Sequence, residues 1–298
     1  MTTSSGLLLV DKPTGLTSHD VVARVRRAVG ERRVGHAGTL DPMATGLLVI
    51  AVGSATRLLR FAQGETKRYV GVVTFGASTD SLDADGVVLE RGDVPDLAGE
   101  TVNDVARSFC GAQLQVPPMV SALKVNGRRL HELARAGVVV ERAPRPITVS
   151  DFALAPTERR DEWTFDVTCS PGTYVRVLLS DLAVRVGTLG HLSALRRIAS
   201  GSHHVDDALT LEQLGDWIVR GKSVLAPPRR FVDHLAQVVV GGEDVRRLRL
   251  GQRVVLGVKV DEVAVLDEGG ALVAIVERRG DTWQPSVVLA SEDAPARG

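Results

Sequence analysis

The chain has 298 residues, 44% hydrophobic and 24% charged, with 36 basic side chains against 36 acidic ones. That is enough for one large or two ordinary domains with a sizeable core. Its only two cysteines, Cys110 and Cys169, lie far apart and in no metal-ligand spacing, which excludes a zinc-ribbon or disulfide scaffold and fits a reducing compartment.

Gly6–Val10 reads as a short buried strand that stops at Asp11-Lys12, too short for a signal segment or a membrane span. Ser18 is the expected N-cap of a helix with Val21, Val22, Val25 and Val29 inward, ended by Gly30. Leu47–Val52 predicts a central strand and Thr56–Ala62 a short helix. Lys67–Phe75 alternates like a strand. Thr79–Gly86 is an acidic turn, and Thr101–Phe109 a helix with Val102, Val105 and Phe109 inward.

From Pro117-Pro118 the pattern becomes an extended, basic arm with one short helix, Leu130–Ala136. It is poor in large apolar groups and reads as a loop that docks onto a partner. Ile147–Leu154 and Trp163–Cys169 predict strands, Tyr174–Val186 a helix, Gly190–Ile198 a short helical segment, and Thr210–Val219 a helix. Lys222–Arg230 reads as a linker. Beyond Val232, short β-rich runs (Val238–Val240, Arg253–Leu256, Val263–Leu266, Leu272–Val276, Val287–Leu289) alternate with Gly and Asp turns. They predict a small β-barrel-like domain, with Asp293–Gly298 frayed.

A balanced total charge lacks the overall basic signature of a nucleic-acid binder. The distribution is segregated, however. Arg24, Arg26, Arg27, Arg32 and Arg33 form one basic cluster, and Lys124, Arg128, Arg129, Arg135, Arg142 and Arg145 another. Residues 78–104 hold Asp80, Asp83, Asp85, Glu90, Asp93, Asp96, Glu100 and Asp104 against Arg91 alone. This suits one phosphate-binding face and an acidic back; solvated faces are the plainer reading of any single run.

The most concentrated chemistry lies in Gly35–Leu48, GHAGTLDPMATGLL. Asp41 precedes Pro42, which restricts it to extended or turn geometry. Glycines on both sides permit tight turns and close approach to a ligand. On local chemistry alone Asp41 reads as a turn residue. The wider pattern says more. Lys12-Pro13-x-Gly15-x-Thr17-Ser18 and Gly35-His36-x-Gly38-Thr39-Leu40-Asp41-Pro42-x-Ala44-Thr45-Gly46 resemble the TruB-type tRNA pseudouridine synthases. So do Lys67-Arg68-Tyr69, Ser121-Ala122-Leu123-Lys124, Arg145-Pro146-Ile147, Gly172-Thr173-Tyr174-x-Arg176 and Leu195-Arg196-Arg197, in the family's order.

The resemblance implies an α+β fold. A mixed, mainly antiparallel catalytic domain over residues 1–225 would carry a thumb-like insertion at about 115–143. A small C-terminal β-barrel-like domain of PUA type would span 226–298; that label rests on position alone. It implies isomerisation of uridine to pseudouridine at position 55 of the tRNA T loop, with base flipping and no cofactor or metal. Asp41 would be the essential carboxylate, as nucleophile or as base at the ribose. Arg176 would hold it ionised, and Tyr69 would stack on the target uracil. Tyr174 and Leu195 would line the pocket, and Lys12 would buttress the active-site loop. His36 would fill the stack vacated by the flipped base. Lys124, Arg128, Arg129, Arg196 and Arg197 would contact the RNA. The expected partner is tRNA at its elbow. The protein would be a cytoplasmic monomer, with no membrane association and no obligate protein partner. Two alternatives stand beside this: a tRNA-folding protein with catalysis secondary, and a guide-RNA-dependent enzyme of the dyskerin type.

Overall fold

The computed structural model describes residues 5–121, 123–125 and 127–289. The side chains of Lys124, Val125, Arg129, His131 and Arg135 lie outside that description, as does the expected fraying of Asp293–Gly298.

The elements run β1 (Gly6–Lys12), α1 (Ser18–Val29), β2 (Val34–Ala37), β3 (Thr45–Val52), α2 (Leu59–Gly64), β4 (Lys67–Phe75), β5 (Ala77–Thr79), β6 (Val88–Arg91), α3 (Gly99–Ser108) and β7 (Gly111–Gln115). The arm holds β8 (Lys124–Val125), β9 (Arg128–Arg129) and α4 (Leu130–Arg135). Then come β10 (Arg145–Pro156), β11 (Glu162–Cys169), α5 (Val175–Arg185), β12 (Gly190–Ser200), β13 (His203–His204) and α6 (Leu211–Val219). The chain closes with β14 (Ala236–Val239), α7 (Gly242–Arg249), β15 (Glu262–Leu266), β16 (Leu272–Arg279) and β17 (Thr282–Val288). Strands therefore pair mainly antiparallel in an α+β chain. No helix among the described residues is long and apolar enough to cross a membrane.

The chain divides into two compact units. The first is formed by the residues up to Pro42, by Gly46–Gly64, and by the chain from Ser200 onward. Here β1 runs antiparallel to β3, from Gly6 opposite Val52 to Lys12 opposite Gly46, and β2 adds to β3 with His36 opposite Ile50. The apolar run of β3 explains its place: every residue from Gly46 to Val52 is buried. One β3 face packs Leu48 and Ile50 with Val21, Val22 and Val25 of α1 and Leu214 of α6. Leu47, Val49 and Ala51 pack with Phe231, Ala264 and Ile275. Helix α1 begins one residue earlier than expected in its cap. Thr17, not Ser18, accepts from the Asp20 amide at 3.1 Å, and Asp20 accepts from the Thr17 amide at 2.9 Å. Reciprocal capping of this kind satisfies two otherwise orphaned donors.

The C-terminal strands form a four-stranded sheet in the order β14-β15-β16-β17, with β14 and β15 parallel. Its residues Val263, Val265 and Trp283 pack with Val245 and Leu248 of α7, while Ala264 and Ile275 join the core that includes β3. Helix α7 was not expected. The expected strand Arg253–Leu256 is irregular chain, with only Val254 bridging to Trp283. The expected border at residues 225 and 226 falls within this first unit.

The second unit, Met43–Thr45 with Glu65–Ala199, carries strands in the order β12-β4-β11-β10-β7. β4 and β11 run antiparallel from Lys67 opposite Cys169 to Thr74 opposite Glu162. Gly71 is required by close approach: a Cβ there would sit 2.0 Å from the Ala194 carbonyl oxygen. The expected helical segment Gly190–Ile198 is strand β12. Buried Leu192 and Leu195 stand three apart because the inward alternation slips by one residue before Leu195, Arg197 and Ala199. In sequence that slip imitates helical spacing. In the arm, Leu130 and Leu133 of α4 are buried, so this helix has apolar anchors despite the expectation of a segment without core.

Candidate active site

Asp41 lies on the turn between β2 and β3, half-buried. Positive φ at Gly38 (85°) and Gly46 (100°) brackets the turn, a conformation that side chains resist. Ser18, in the first turn of α1, takes the Leu40 amide into its hydroxyl at 2.9 Å and donates to the Leu40 carbonyl at 3.2 Å. The Gly15 amide donates to the Pro42 carbonyl at 2.8 Å. Lys12, 0% exposed, donates from Nζ to the carbonyls of Pro13 (2.9 Å), Leu16 (2.6 Å) and Pro42 (3.2 Å). The residues on either side of Asp41 are thereby tied down by buried polar groups. A buried polar bond left half-made costs more than it contributes when made, so such ties specify geometry.

Burial pushes the Lys12 ammonium down to about 8, against the Asp41 and Asp20 carboxylates, which raise it. Lys12 thus supplies both loop anchorage and positive charge near Asp41. Farther along the turn, the Thr45 hydroxyl donates to the Leu195 carbonyl at 3.4 Å. Leu195 is buried on β12.

His36 is half-buried on β2. Its ring meets that of His19, an exposed residue in the first turn of α1.

In the second unit Tyr69 is half-buried on β4, opposite Val167. Tyr174, the expected first residue of this helix, is the N-cap residue of α5, one position before its observed start at Val175. Gln115 pins its backbone from both sides: the Tyr174 amide donates to Oε1 at 2.8 Å, and Nε2 donates to the Tyr174 carbonyl at 3.1 Å. Arg176 is 3% exposed in the first turn of α5. Its Nη1 donates to the Ser81 carbonyl at 2.6 Å, its Nη2 to the Val120 carbonyl at 3.0 Å, and Nη1 stands 3.3 Å from Asp83 Oδ2. Asp83 is itself held: Ser81 donates its hydroxyl to Oδ1, and the Asp85 amide donates there at 3.2 Å.

Asp83 corrects the reading of residues 78–104 as an acidic back. The other acidic side chains named there stay exposed, whereas Asp83 is 5% exposed and partners an interior arginine. Sequence reasoning also missed Gln115, Ser81 and His19. The one available signal was the dense polar run Thr79–Asp85, and composition alone cannot separate an inward carboxylate from its solvated neighbours.

The expected RNA-contacting residues separate into different environments. Arg128 is exposed on β9, while the side chains of Lys124 and Arg129 lie outside the described residues. Arg196 is half-buried. Arg197 is 1% exposed, an interior cation. Its charge, after burial, helps lower Lys67 to about 8, while Glu65 and Cys169 act in the opposite direction. In the first unit Arg24, Arg27 and Ala28 line a shallow open basin on α1. Among the described residues, no group of three or more His, Cys, Asp or Glu side chains is arranged to hold a metal ion.

Comparison with known proteins adds family evidence to this geometry. Residues 26–175 match the family model described as TruB family pseudouridylate synthase, N-terminal domain. The chain is 40% identical over 290 residues to the tRNA pseudouridine synthase B of Streptococcus thermophilus, covering 96% of this chain and 99% of that one. It is 42% identical over 302 residues to the enzyme of the same name from Thermobifida fusca, with the same coverage. A third, from Syntrophotalea carbinolica, is 49% identical over 210 residues, covering 70% of this chain and 68% of that one. Among solved structures, a Cbf5-Nop10-Gar1 complex aligns with a TM-score of 0.72 at 27% identity, covering 96% of this chain and 84% of that one.

Proposed function

Because this chain belongs to the TruB family of pseudouridylate synthases, we propose that it isomerises uridine to pseudouridine in tRNA, at position 55 of the T loop. The observation that carries the reading is the family match through the Asp41 turn, whose flanking residues are fixed by Lys12, Gly15 and Ser18.

The reaction breaks the ribose C1′–N1 bond, and the electron pair stays with the uracil. The ring turns, C5 bonds to C1′, the C5 hydrogen leaves as a proton, and N1 gains one. Nothing is oxidised or hydrolysed. Asp41 acts at the ribose, either by bonding C1′ or by taking a ribose proton. Arg176 supplies the positive charge that keeps the reacting carboxylate ionised, since desolvation alone would favour its protonated form. Tyr69 presents a stacking face to the uracil, Tyr174 and Leu195 shape the pocket, and His36 fills the stack the uracil leaves. Stacking of a base on an aromatic ring is worth about 1–3 kcal/mol, comparable with the cost of flipping.

Binding energy comes from local basic clusters in a chain of zero net charge. Arg24 and Arg27 on α1 and Arg128 on the arm are exposed for phosphate contact. The arm acts as a thumb on the T loop, and the C-terminal sheet with α7 serves as a PUA-type RNA-binding element. We place the protein in the cytoplasm as a monomer that needs no protein partner. Identities of 40% and 42% to tRNA enzymes over most of the chain, against 27% to the Cbf5 complex, favour direct recognition of tRNA over guidance by a second RNA.

The test is the purified protein alone with an unmodified tRNA transcript and with a transcript carrying cytidine at position 55. Pseudouridine in the first and none in the second supports the assignment. Modification of the second transcript, or a requirement for added RNA or protein, contradicts it.

A further inference from the structure

We propose that His19 is the positioning residue of His36, holding its imidazole edge-on so that it enters the RNA stack as a fixed wedge. The two ring centroids lie 5.4 Å apart, with the planes at 86°. This is the T-shaped arrangement that aromatic quadrupoles favour, the edge of one ring addressing the face of the other.

The backbone that carries each ring is fixed from its own side. His19 follows Ser18, which is 1% exposed and bonded to both backbone groups of Leu40. The reciprocal Thr17–Asp20 cap holds the same helical turn. His36 sits in β2 opposite Ile50, between buried Val34 and Ala37. A half-buried imidazole on a strand would otherwise choose among rotamers. His19 itself is exposed in the first turn of α1. Placed perpendicular to His36, it restricts that choice before RNA arrives, so less ordering remains to be done on binding.

The inference rests on the reading that His36 replaces a flipped base. Its test is a double-variant cycle at saturating, unmodified T-loop RNA, with single-turnover C5 proton release as the readout. His19→Ala should slow that step about three- to tenfold, the range of one aromatic pair, with little change in KM. His19→Phe keeps a ring edge and should restore the rate to within about twofold of wild type. His36→Ala should slow the step further, and the double variant should be no slower than His36→Ala alone, because a residue that acts through another adds nothing once the other is gone.

A double variant slowed by both factors together, or a His19→Ala protein at the wild-type rate, overturns the positioning role while leaving the function intact. An unchanged rate for His36→Ala removes the stack-filling reading, and the inference with it. His19 is exposed, so the His19 variants are expected to fold; matching thermal midpoints would verify that.

Discussion

Arg176 Nη1 stands 3.3 Å from Asp83 Oδ2, with both side chains almost wholly withdrawn from solvent. A guanidinium buried at this depth requires compensation, and it finds carbonyl oxygens of Ser81 and Val120 as well as the Asp83 carboxylate. The arginine expected to serve chemistry is therefore already held by the acidic turn of its own unit.

Asp83→Asn should expose the importance of that hold. The change removes a charge and almost no volume. Charged hydrogen bonds contribute about 1.5–3 kcal/mol, and stability should fall by roughly that amount. Turnover should fall at least tenfold while tRNA affinity stays within about twofold, because the arginine loses its orientation and the phosphate contacts do not. Urea denaturation, turnover and filter binding of the one variant measure all three; unchanged stability and turnover would contradict the pairing.

Ser18→Ala probes the other side of the site. Removing the hydroxyl strands the buried Leu40 amide, at a cost of about 1–3 kcal/mol. Asp41 is the next residue, so the turnover rate should drop while KM for RNA changes little. Ser18→Thr, which restores a hydroxyl at the same position, should recover part of the loss. A fall in affinity at constant turnover would instead mark Ser18 as an RNA-binding residue.

Stability should depend on pH in a way set by three buried groups. Lys12 and Lys67 titrate at about 8 when folded, against 10.5 for an ordinary lysine. Between those values the unfolded chain holds protons that the folded chain has released, so these lysines make stability rise with pH across that window and contribute no slope below it. Burial pushes the Cys169 thiol up to about 11 from 9.0, so between those values the folded chain keeps a proton that the unfolded chain has lost, and stability falls. Free energies from urea unfolding should rise between pH 8 and 9 and flatten in part above it, still rising toward 10.5 because two lysines outweigh one thiol. Lys12→Met should reduce the rise, and Cys169→Ala should lessen the flattening. A curve whose slope neither variant alters would contradict these assignments.

Much of the architecture was legible because local pattern and tertiary role agree. The uninterrupted apolar run at Leu47–Val52 is buried on every residue, and the valines of α1 face inward before Gly30 ends the helix at φ 66°. Strand β12 was illegible because its slip in alternation places Leu192 and Leu195 at a helical interval. Helix α7 was hidden by its Gly-Gly start and by flanking β-rich runs. In the site, the Asp41 motif was readable as a block, but Asp83, Gln115 and His19 were not. Their importance comes from partners distant in sequence, Arg176, Tyr174 and His36, and no local spacing announces such pairs.

The division between chemistry and affinity is also measurable. Arg128 is exposed on the arm, and Arg24 and Arg27 on α1. Log affinity for tRNA should fall linearly with log salt, and each lost phosphate contact should flatten the slope by about one unit. Replacing Arg128 and Arg129 together by Ala should therefore reduce the slope by up to about two, with turnover at saturating RNA much less affected. A wild-type slope in that variant would reduce the arm to a solvated face.

The most direct measurement is tritium release from C5 of uridine-labelled, unmodified tRNA by purified wild-type protein and by Asp41→Asn. The substitution keeps the shape of the turn and removes the one charge assigned to act at the ribose. The wild-type protein should release label to completion with no added cofactor, metal or guide RNA. The variant should release none while binding tRNA within about tenfold of wild type. Release by Asp41→Asn at the wild-type rate would contradict the central role of Asp41.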